Sequence, residues 1–246
     1  MVTKNQIKRI KSLHQKKYRK EYQMFIAEGL KVIHELLQSS FVLEHIYVTK
    51  EMDFGVPEHQ LTVVSEEDLK KMSALTTTPN CLAVFHCLEN QTVDFSDWVV
   101  ALDDIRDPGN LGTIIRLCDW FGIRHILCST ETVDLYNPKV IQATMGSVSR
   151  VNLVYAELQA VLATVEAPVY GTFLGGDNIY EMKAVQPGVI VMGNEANGIS
   201  AEIEQLVSRK ITIPRFGNLQ QTESLNVAMA TSIVLSEFRR SVFNEQ

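Results

Sequence analysis

Three short segments combine residue types that can surround a small polar ligand and a reacting group. The first is Asp107-Pro108-Gly109-Asn110-Leu111-Gly112-Thr113-Ile114-Ile115-Arg116. It follows the apolar run Trp98 to Leu102, so a proline and two glycines form a tight loop at the carboxyl end of a strand, where open α/β sheets bind ligands. Asn110 reads as the cap of the next helix, and Arg116 then lies about two turns into it. The second segment runs from Val189 to Ile199, an apolar strand that ends in Gly193-Asn194-Glu195 and Asn197-Gly198. Its glycines open backbone conformations closed to other residues and let amides approach a ligand. A carboxylate at a strand mouth needs a partner, because burial alone is costly, and Arg116 is the natural one. The third is Ile213-Pro214, a polar stretch, and Ser224-Leu225-Asn226-Val227. Serine and asparagine are common helix caps, but Asn226 falls inside the expected first turn, which suggests that its amide acts outside the helix. Together such residues can hold a ligand through backbone amides and pair a carboxylate with a guanidinium beside it. Each segment alone also reads as an ordinary strand–loop–helix connection or polar turn.

The elements that must position these groups alternate. After a polar linker at 89–97, strands are expected at Trp98–Leu102, around Ile126-Leu127, and at 151–154, 168–174 and 188–192. Helices fall between them, one starting at Asn137-Pro138, and a last helix runs from about Ser224 to Arg240. This alternation implies a mostly parallel sheet covered on both faces. A smaller α/β unit precedes the linker. A short basic helix is expected at 2–12 and strands at 25–27, 46–48, 61–64 and 82–87. A second helix, 29–37, places Leu30, Ile33, His34 and Leu37 on one face, and Ser65 starts a third, with Glu66, Glu67 and Asp68 facing its dipole. The domains expected are therefore 1–90 and 98–246.

The composition is that of a globular chain, 46% hydrophobic and 21% charged. No apolar run approaches the roughly 20 residues that span a bilayer, and no signal-type run follows the basic start, so a cytoplasmic protein without membrane association is expected. Cys81, Cys87, Cys118 and Cys128 sit among apolar neighbours and read as buried free thiols, and no spacing suggests a metal site. Charge is unevenly placed. Lys4, Lys8, Arg9, Lys11, Lys16, Lys17, Arg19 and Lys20 put eight cations and no acid in the first 20 residues, whereas the other 226 carry 15 basic and 29 acidic groups. That end reads either as a surface for a polyanion such as RNA or as a solvated helix. Neither a dinucleotide fingerprint nor a Walker loop is present, and Gly175-Gly176 after a strand is a weak signal.

The three segments, in this order, resemble the three motifs of the SpoU-type RNA 2′-O-ribose methyltransferases, the TrmH group of the SPOUT superfamily. Asn110-x-Gly112-x-x-x-Arg116 matches the first, Gly193-Asn194-Glu195-x-x-Gly198 the second, and Ile213-Pro214 with Ser224-Leu225-Asn226-Val227 the third. The resemblance covers about residues 98–242. The front unit is more loosely similar to an L30e-like RNA-binding domain, through Phe25 to Gly29 and Thr78-Pro79-Asn80, although Asn80-Cys81 replaces the Gln-Gly expected there. The Arg215–Glu223 loop is also longer than in many relatives. The resemblance implies a parallel sheet tied in a deep trefoil knot, S-adenosylmethionine as cofactor and a homodimer. The substrate would be ribosomal RNA, with transfer RNA or an inactive RNA-binding relative as alternatives. Asn110, Arg116, Glu195, Ser224 and Asn226 would be catalytic, and Gly193, Asn194, Gly198, Ile213 and Leu225 would hold the cofactor. Arg116 would act as general base or orient the hydroxyl, with Glu195 holding Arg116 or Asn110.

Overall fold

The computed structural model describes residues 2–89, 91–182, 185–216 and 224–243, with side chains described as far as 240. The chain divides into two compact units, one made of Met1–Glu89 with Asp134–Ser149, the other of Asn90–Val133 with Arg150–Gln246. The first unit opens with helices α1 (Lys4–Ser12) and α2 (Lys16–Tyr22). They are followed by strand β1 (Met24–Glu28), helix α3 (Leu30–Leu37), strands β2 (Leu43–Val48) and β3 (Leu61–Val63), helix α4 (Glu66–Met72) and strand β4 (Cys81–His86). The strands form a sheet in the order β1-β4-β2-β3, with β4 antiparallel to both neighbours and β2 parallel to β3. Ser65 caps α4 by accepting from the Asp68 amide at 3.1 Å, as its acidic first turn suggested. The buried face of α3 is Val32, Ile33 and Leu36. Leu30, expected on that face, is 46% exposed: the helix begins at Leu30 itself, and its inward stripe starts two residues later at Val32.

The second unit contains β5 (Val99–Leu102), α5 (Pro108–Trp120) and β6 (His125–Cys128). The chain then contributes α6 (Pro138–Thr144) to the first unit and returns as β7 (Asn152–Tyr155), α7 (Leu158–Leu162), β8 (Val169–Asn178), β9 (Val189–Met192), α8 (Ala201–Glu204), β10 (Arg209–Thr212) and α9 (Val227–Phe243). All six strands are parallel, in the order β10-β8-β9-β5-β6-β7. β5 and β9 are buried throughout, which is why both read as unbroken apolar runs. From β5 the chain builds outward to β6 and β7, then crosses to place β8 and β9 on the other side. The strand order therefore reverses between β5 and β9, the place where ligand crevices open in such sheets.

Segment 134–149 departs from the expected division at residue 98. It is held inside the first unit by buried groups. Arg19, only 4% exposed, donates from Nε and Nη2 to Asp134 Oδ2 at 2.8 and 2.5 Å, and from Nη1 to the Leu13 carbonyl at 2.8 Å. The Tyr136 ring lies 4.7 Å from that of Phe25, and its hydroxyl accepts from the Leu88 amide at 2.9 Å. Arg19 is therefore a structural cation and not one of the solvent-facing group to which its charge alone assigned it.

Candidate active site

The carboxyl ends of β5 and β9 are adjacent, with Leu102 level with Met192. The loops that follow are joined immediately, as the Asp103 amide donates to the Met192 carbonyl at 2.9 Å. The 193–198 loop is closed on itself. Asn194 and Gly198 exchange backbone hydrogen bonds at 3.0 and 2.8 Å, while Asn194 Oδ1 accepts from the amides of Ala196 and Asn197. Two glycines make this possible. Gly198 has φ +70°, and an added Cβ on Gly193 would lie 2.3 Å from the Gly198 carbonyl carbon. Asn194 Nδ2 then donates to the Asp104 carbonyl at 2.8 Å, and Asp103 Oδ2 accepts from the Ser200 amide at 2.7 Å.

On the other side, the 103–107 loop is fixed to the chain that follows β6. The Asp104 amide donates to Ser129 Oγ at 3.0 Å and the Ile105 amide to Thr132 Oγ1 at 3.2 Å; both hydroxyl residues are buried. Asp104 itself has φ +59°, an uncommon conformation for a residue with a side chain, and these bonds hold it there. Sequence reasoning missed this pair of acids and pair of hydroxyls. Two consecutive aspartates straight after an apolar strand were the available signal.

Helix α5 is capped by Asp107, whose Oδ1 accepts from the Asn110 amide at 2.8 Å, with Pro108 in the first helical position. Asn110 is thus not the cap, as expected, but the third residue of the helix, and its side chain is free to bridge. Its Nδ2 donates to Glu195 Oε1, and its Oδ1 accepts from Asn226 Nδ2 at 2.9 Å. Asn226 is not inside the first turn of the last helix. It caps α9, with Oδ1 accepting from the amides of Ala228 and Met229 at 3.0 and 3.3 Å. One end of its amide serves the helix and the other reaches Asn110. A single chain of side chains, Asn226 to Asn110 to Glu195, therefore links all three segments.

Glu195 is exposed rather than buried, and its partner is Asn110, so the expected contact with Arg116 is absent among the described residues. Arg116, also exposed, lies six residues beyond Asn110 on α5 and has no hydrogen-bond or ion-pair partner among the described residues. Ile213 directly follows β10 and is half-buried; Ser224 and Leu225 are exposed ahead of the Asn226 cap. In the long loop between them, residues 217–223 lie outside the described residues. Leu174 on β8, which sequence reasoning did not single out, is 72% exposed, and its carbonyl accepts from Thr212 Oγ1 at 3.2 Å. Leu174 and Leu225 thus leave apolar side chains uncovered, and Ile213 is partly so, in the unit that holds this loop of fixed backbone groups. That chemistry suits a nucleoside, whose base has apolar faces and polar edges. The nearby thiols are no alternative nucleophiles, because burial pushes those of Cys118 on α5 and Cys128 on β6 well above their ordinary range.

Two family models match this chain. One, described as the SpoU rRNA Methylase family, covers residues 97–236, and the other, an MRM3-like substrate binding domain, covers 4–83. Among curated relatives, the 23S rRNA (guanosine(2553)-2′-O)-methyltransferase RlmP of Bacillus subtilis is 30% identical, over 96% of this chain and 97% of its own. Among solved structures, a protein of Porphyromonas gingivalis assigned to the TrmH family of RNA methyltransferases superposes with a TM-score of 0.87. The two are 37% identical, and the match covers 98% of this chain and 99% of the other. An AdoMet-bound rRNA methyltransferase from Sinorhizobium meliloti matches with a TM-score of 0.86 at 29% identity, over 98% of this chain and 96% of the other.

Proposed function

The chain belongs to the SpoU rRNA methylase family, and on that premise we propose that it methylates a ribose 2′-hydroxyl of ribosomal RNA. It is an S-adenosylmethionine-dependent RNA methyltransferase. The choice of ribosomal over transfer RNA rests on the names of the relatives just described and on the match of residues 4–83 to a substrate binding domain. The observation that carries the reading is the Asn226–Asn110–Glu195 chain, which joins the three motif segments where the strand order reverses.

S-adenosylmethionine supplies an electrophilic methyl group on a sulfonium. Gly193, Asn194, Gly198, Ile213 and Leu225 would hold it, the first three through the closed loop and the last two through their apolar side chains. A ribose hydroxyl is a weak nucleophile at neutral pH, so the protein's work is alignment and charge balance. Alignment alone supplies roughly 7–11 kcal/mol in favourable systems. Arg116 is the group for both tasks. Its part is to hold the ribose and its phosphate through a planar fork and to offset the negative charge that builds on the 2′-oxygen as the oxygen takes the methyl group and its proton passes to water. Asn110 and Glu195 position the start of α5, the helix that carries Arg116, Asn226 caps α9, and Ser224 and Asn226 would fix the cofactor tail and the nucleophile.

The finer family features form part of the same reading: a deep trefoil knot in the second unit, an L30e-like fold for the first, and a homodimer in the cytoplasm. For the dimer, the support is exposed apolar side chains on the packed pair α5 and α9, Trp120 at 84% near one end and Met229 at 61% near the other. Among the described residues no helix is long and apolar enough to cross a membrane. The test is to incubate purified protein and S-adenosylmethionine with ribosomal and transfer RNA from cells lacking the gene, and to map 2′-O-methyl groups. A single new ribose methyl in ribosomal RNA, absent with the Arg116→Ala variant, is expected. Methylation of transfer RNA alone, or of a base, overturns the proposal.

A further inference from the structure

Seven of the eight cations near the amino terminus are exposed; Arg19 is the buried exception. Their arrangement is regular. Lys4, Lys8 and Lys11 recur on one face of α1 at four- and three-residue spacing, and Lys16 and Lys20 do so on α2. Glu21 is the single acid on the two helices.

A row of stacked groups joins the helices. Lys17 Nζ lies 5.6 Å from the centre of the Tyr18 ring. Tyr18 stacks on Tyr22 at 6.1 Å, with 20° between the ring planes. The Arg9 guanidinium from α1 covers Tyr22 at 5.3 Å, and its Nη2 donates to Met24 Sδ at 3.7 Å. Tyr22 also packs against the core of the unit, which anchors the row. Arg9 itself is exposed. A guanidinium already laid on a ring has lost the rotamer freedom that a ligand would otherwise have to remove, and its outer face presents a flat cation.

From these two features we infer that the α1–α2 pair is an RNA-binding surface, on which the exposed lysines hold phosphates along the helices and the Arg9–Tyr22–Tyr18 row receives one unpaired base. The inference rests on the RNA methyltransferase reading. Duplex RNA hides its base edges in a deep, narrow groove, so proteins read folded RNA at unpaired bases, which stack on aromatic rings and guanidinium planes. Lysines alone would suit any polyanion; the guanidinium held on Tyr22 selects one with flat bases. The other 226 residues, with 15 basic and 29 acidic groups, carry a net charge of −14, so the run of cations on these two helices is the main attraction for a polyanion at long range.

The full-length protein tests this with a ribosomal RNA fragment containing its methylation site, together with a fully paired duplex of the same length. A K8A/K11A/K16A/K20A variant should keep its cofactor affinity. Its slope of log affinity against log salt should fall by about 3, at about 0.7–0.9 per phosphate contact. R9A should bind the looped fragment at least ~10-fold more weakly and the duplex less than ~3-fold more weakly, and R9K should not restore the looped fragment. An unchanged salt slope, or equal effects of R9A on loop and duplex, overturns the inference. So does binding of polyglutamate as tight as that of RNA. If the wild-type protein binds S-adenosylmethionine yet neither binds nor methylates RNA, the underlying reading fails instead.

Discussion

Asn226 performs two tasks that one substitution can separate. Its Oδ1 caps α9 and its Nδ2 donates to Asn110. The orientation is fixed from both ends: the helix amides require an acceptor, and the Glu195 carboxylate requires that Asn110 present its donor, leaving the Asn110 oxygen to Asn226. In Asn226→Asp, either carboxylate oxygen can still cap the helix. The cap is worth about 1 kcal/mol, and a negative charge at a helix start adds roughly 0.3–1 kcal/mol. The bridge, however, loses its donor. If the Asn110 amide turns to donate to the new carboxylate, its oxygen then meets that of Glu195. One exposed hydrogen bond is lost, about 1 kcal/mol at most, so the net change in unfolding free energy should stay within about 1 kcal/mol. If the chain positions the reacting segments, methyl transfer should nevertheless fall about 100-fold, the scale of an ångström of misplacement. Asn226→Ala should lose the cap as well, adding about 1 kcal/mol of destabilisation. Single-turnover transfer to the native RNA, run beside urea denaturation, reads both quantities. A rate for Asn226→Asp within about 3-fold of wild type would refute the view that the three segments act as one unit.

Arg116→Ala should change stability by no more than about 0.5 kcal/mol, since the side chain is exposed without a described partner, yet slow methyl transfer at least ~100-fold, or about 2.7 kcal/mol. Arg116→Lys should fare little better in the same assay, because a point charge cannot replace the fork. Glu195→Gln keeps an oxygen that can accept from Asn110, so its rate should exceed that of Glu195→Ala by at least ~10-fold, about 1.4 kcal/mol of transition-state stabilisation. Asp134→Ala should cost about 3–5 kcal/mol by leaving the buried Arg19 without its carboxylate, read as a lower urea midpoint. Burial, reinforced by the charge of Asp134, pushes the Cys87 thiol up to about 12. An unfolded cysteine ionises near pH ~8.5, so its contribution to stability is whole below that pH and is lost as pH rises towards about 12. The native thiol should accordingly resist iodoacetamide at about pH 8 and react once urea unfolds the chain.

The central strands are legible in the sequence because a parallel sheet covered on both faces demands unbroken apolar runs, and Val189 to Met192 is one. Strand β10 is not. Its sequence, Arg209-Lys210-Ile211-Thr212, lies at the edge of the sheet, pairs with β8 alone and buries only Ile211, so two cations dominate what can be read. Helix α2 is hidden for a related reason. Its buried residue is Arg19, and an apolar periodicity cannot reveal a stripe whose inner member is a cation paired 115 positions away. The start of α6 is readable from Asn137-Pro138, but its destination is not: an apolar helix face says that it must pack, not against which unit.

The site shows the same division between local and distant information. Every residue of the Asn226–Asn110–Glu195 chain stands out from its own segment, yet local reasoning pairs Glu195 with Arg116 instead of Asn110 and gives the other two the wrong task. It makes Asn110 the cap that Asp107 provides, and it places Asn226 within a turn that this residue begins. The Asp-Pro pair ahead of the helix is sufficient to correct the first error, because proline favours the first helical position and aspartate the one before it. Once Asp107 takes the cap, Asn110 stands in the first turn of α5, where a better helix former would serve folding equally well. An asparagine there is explained by what its amide reaches, a donor spent on Glu195 and an acceptor spent on Asn226, 85 residues and 116 residues away. The bonds are exposed and weak in stability, so their worth lies in fixing where α5 begins relative to the two other loops, and with it the place from which Arg116 extends.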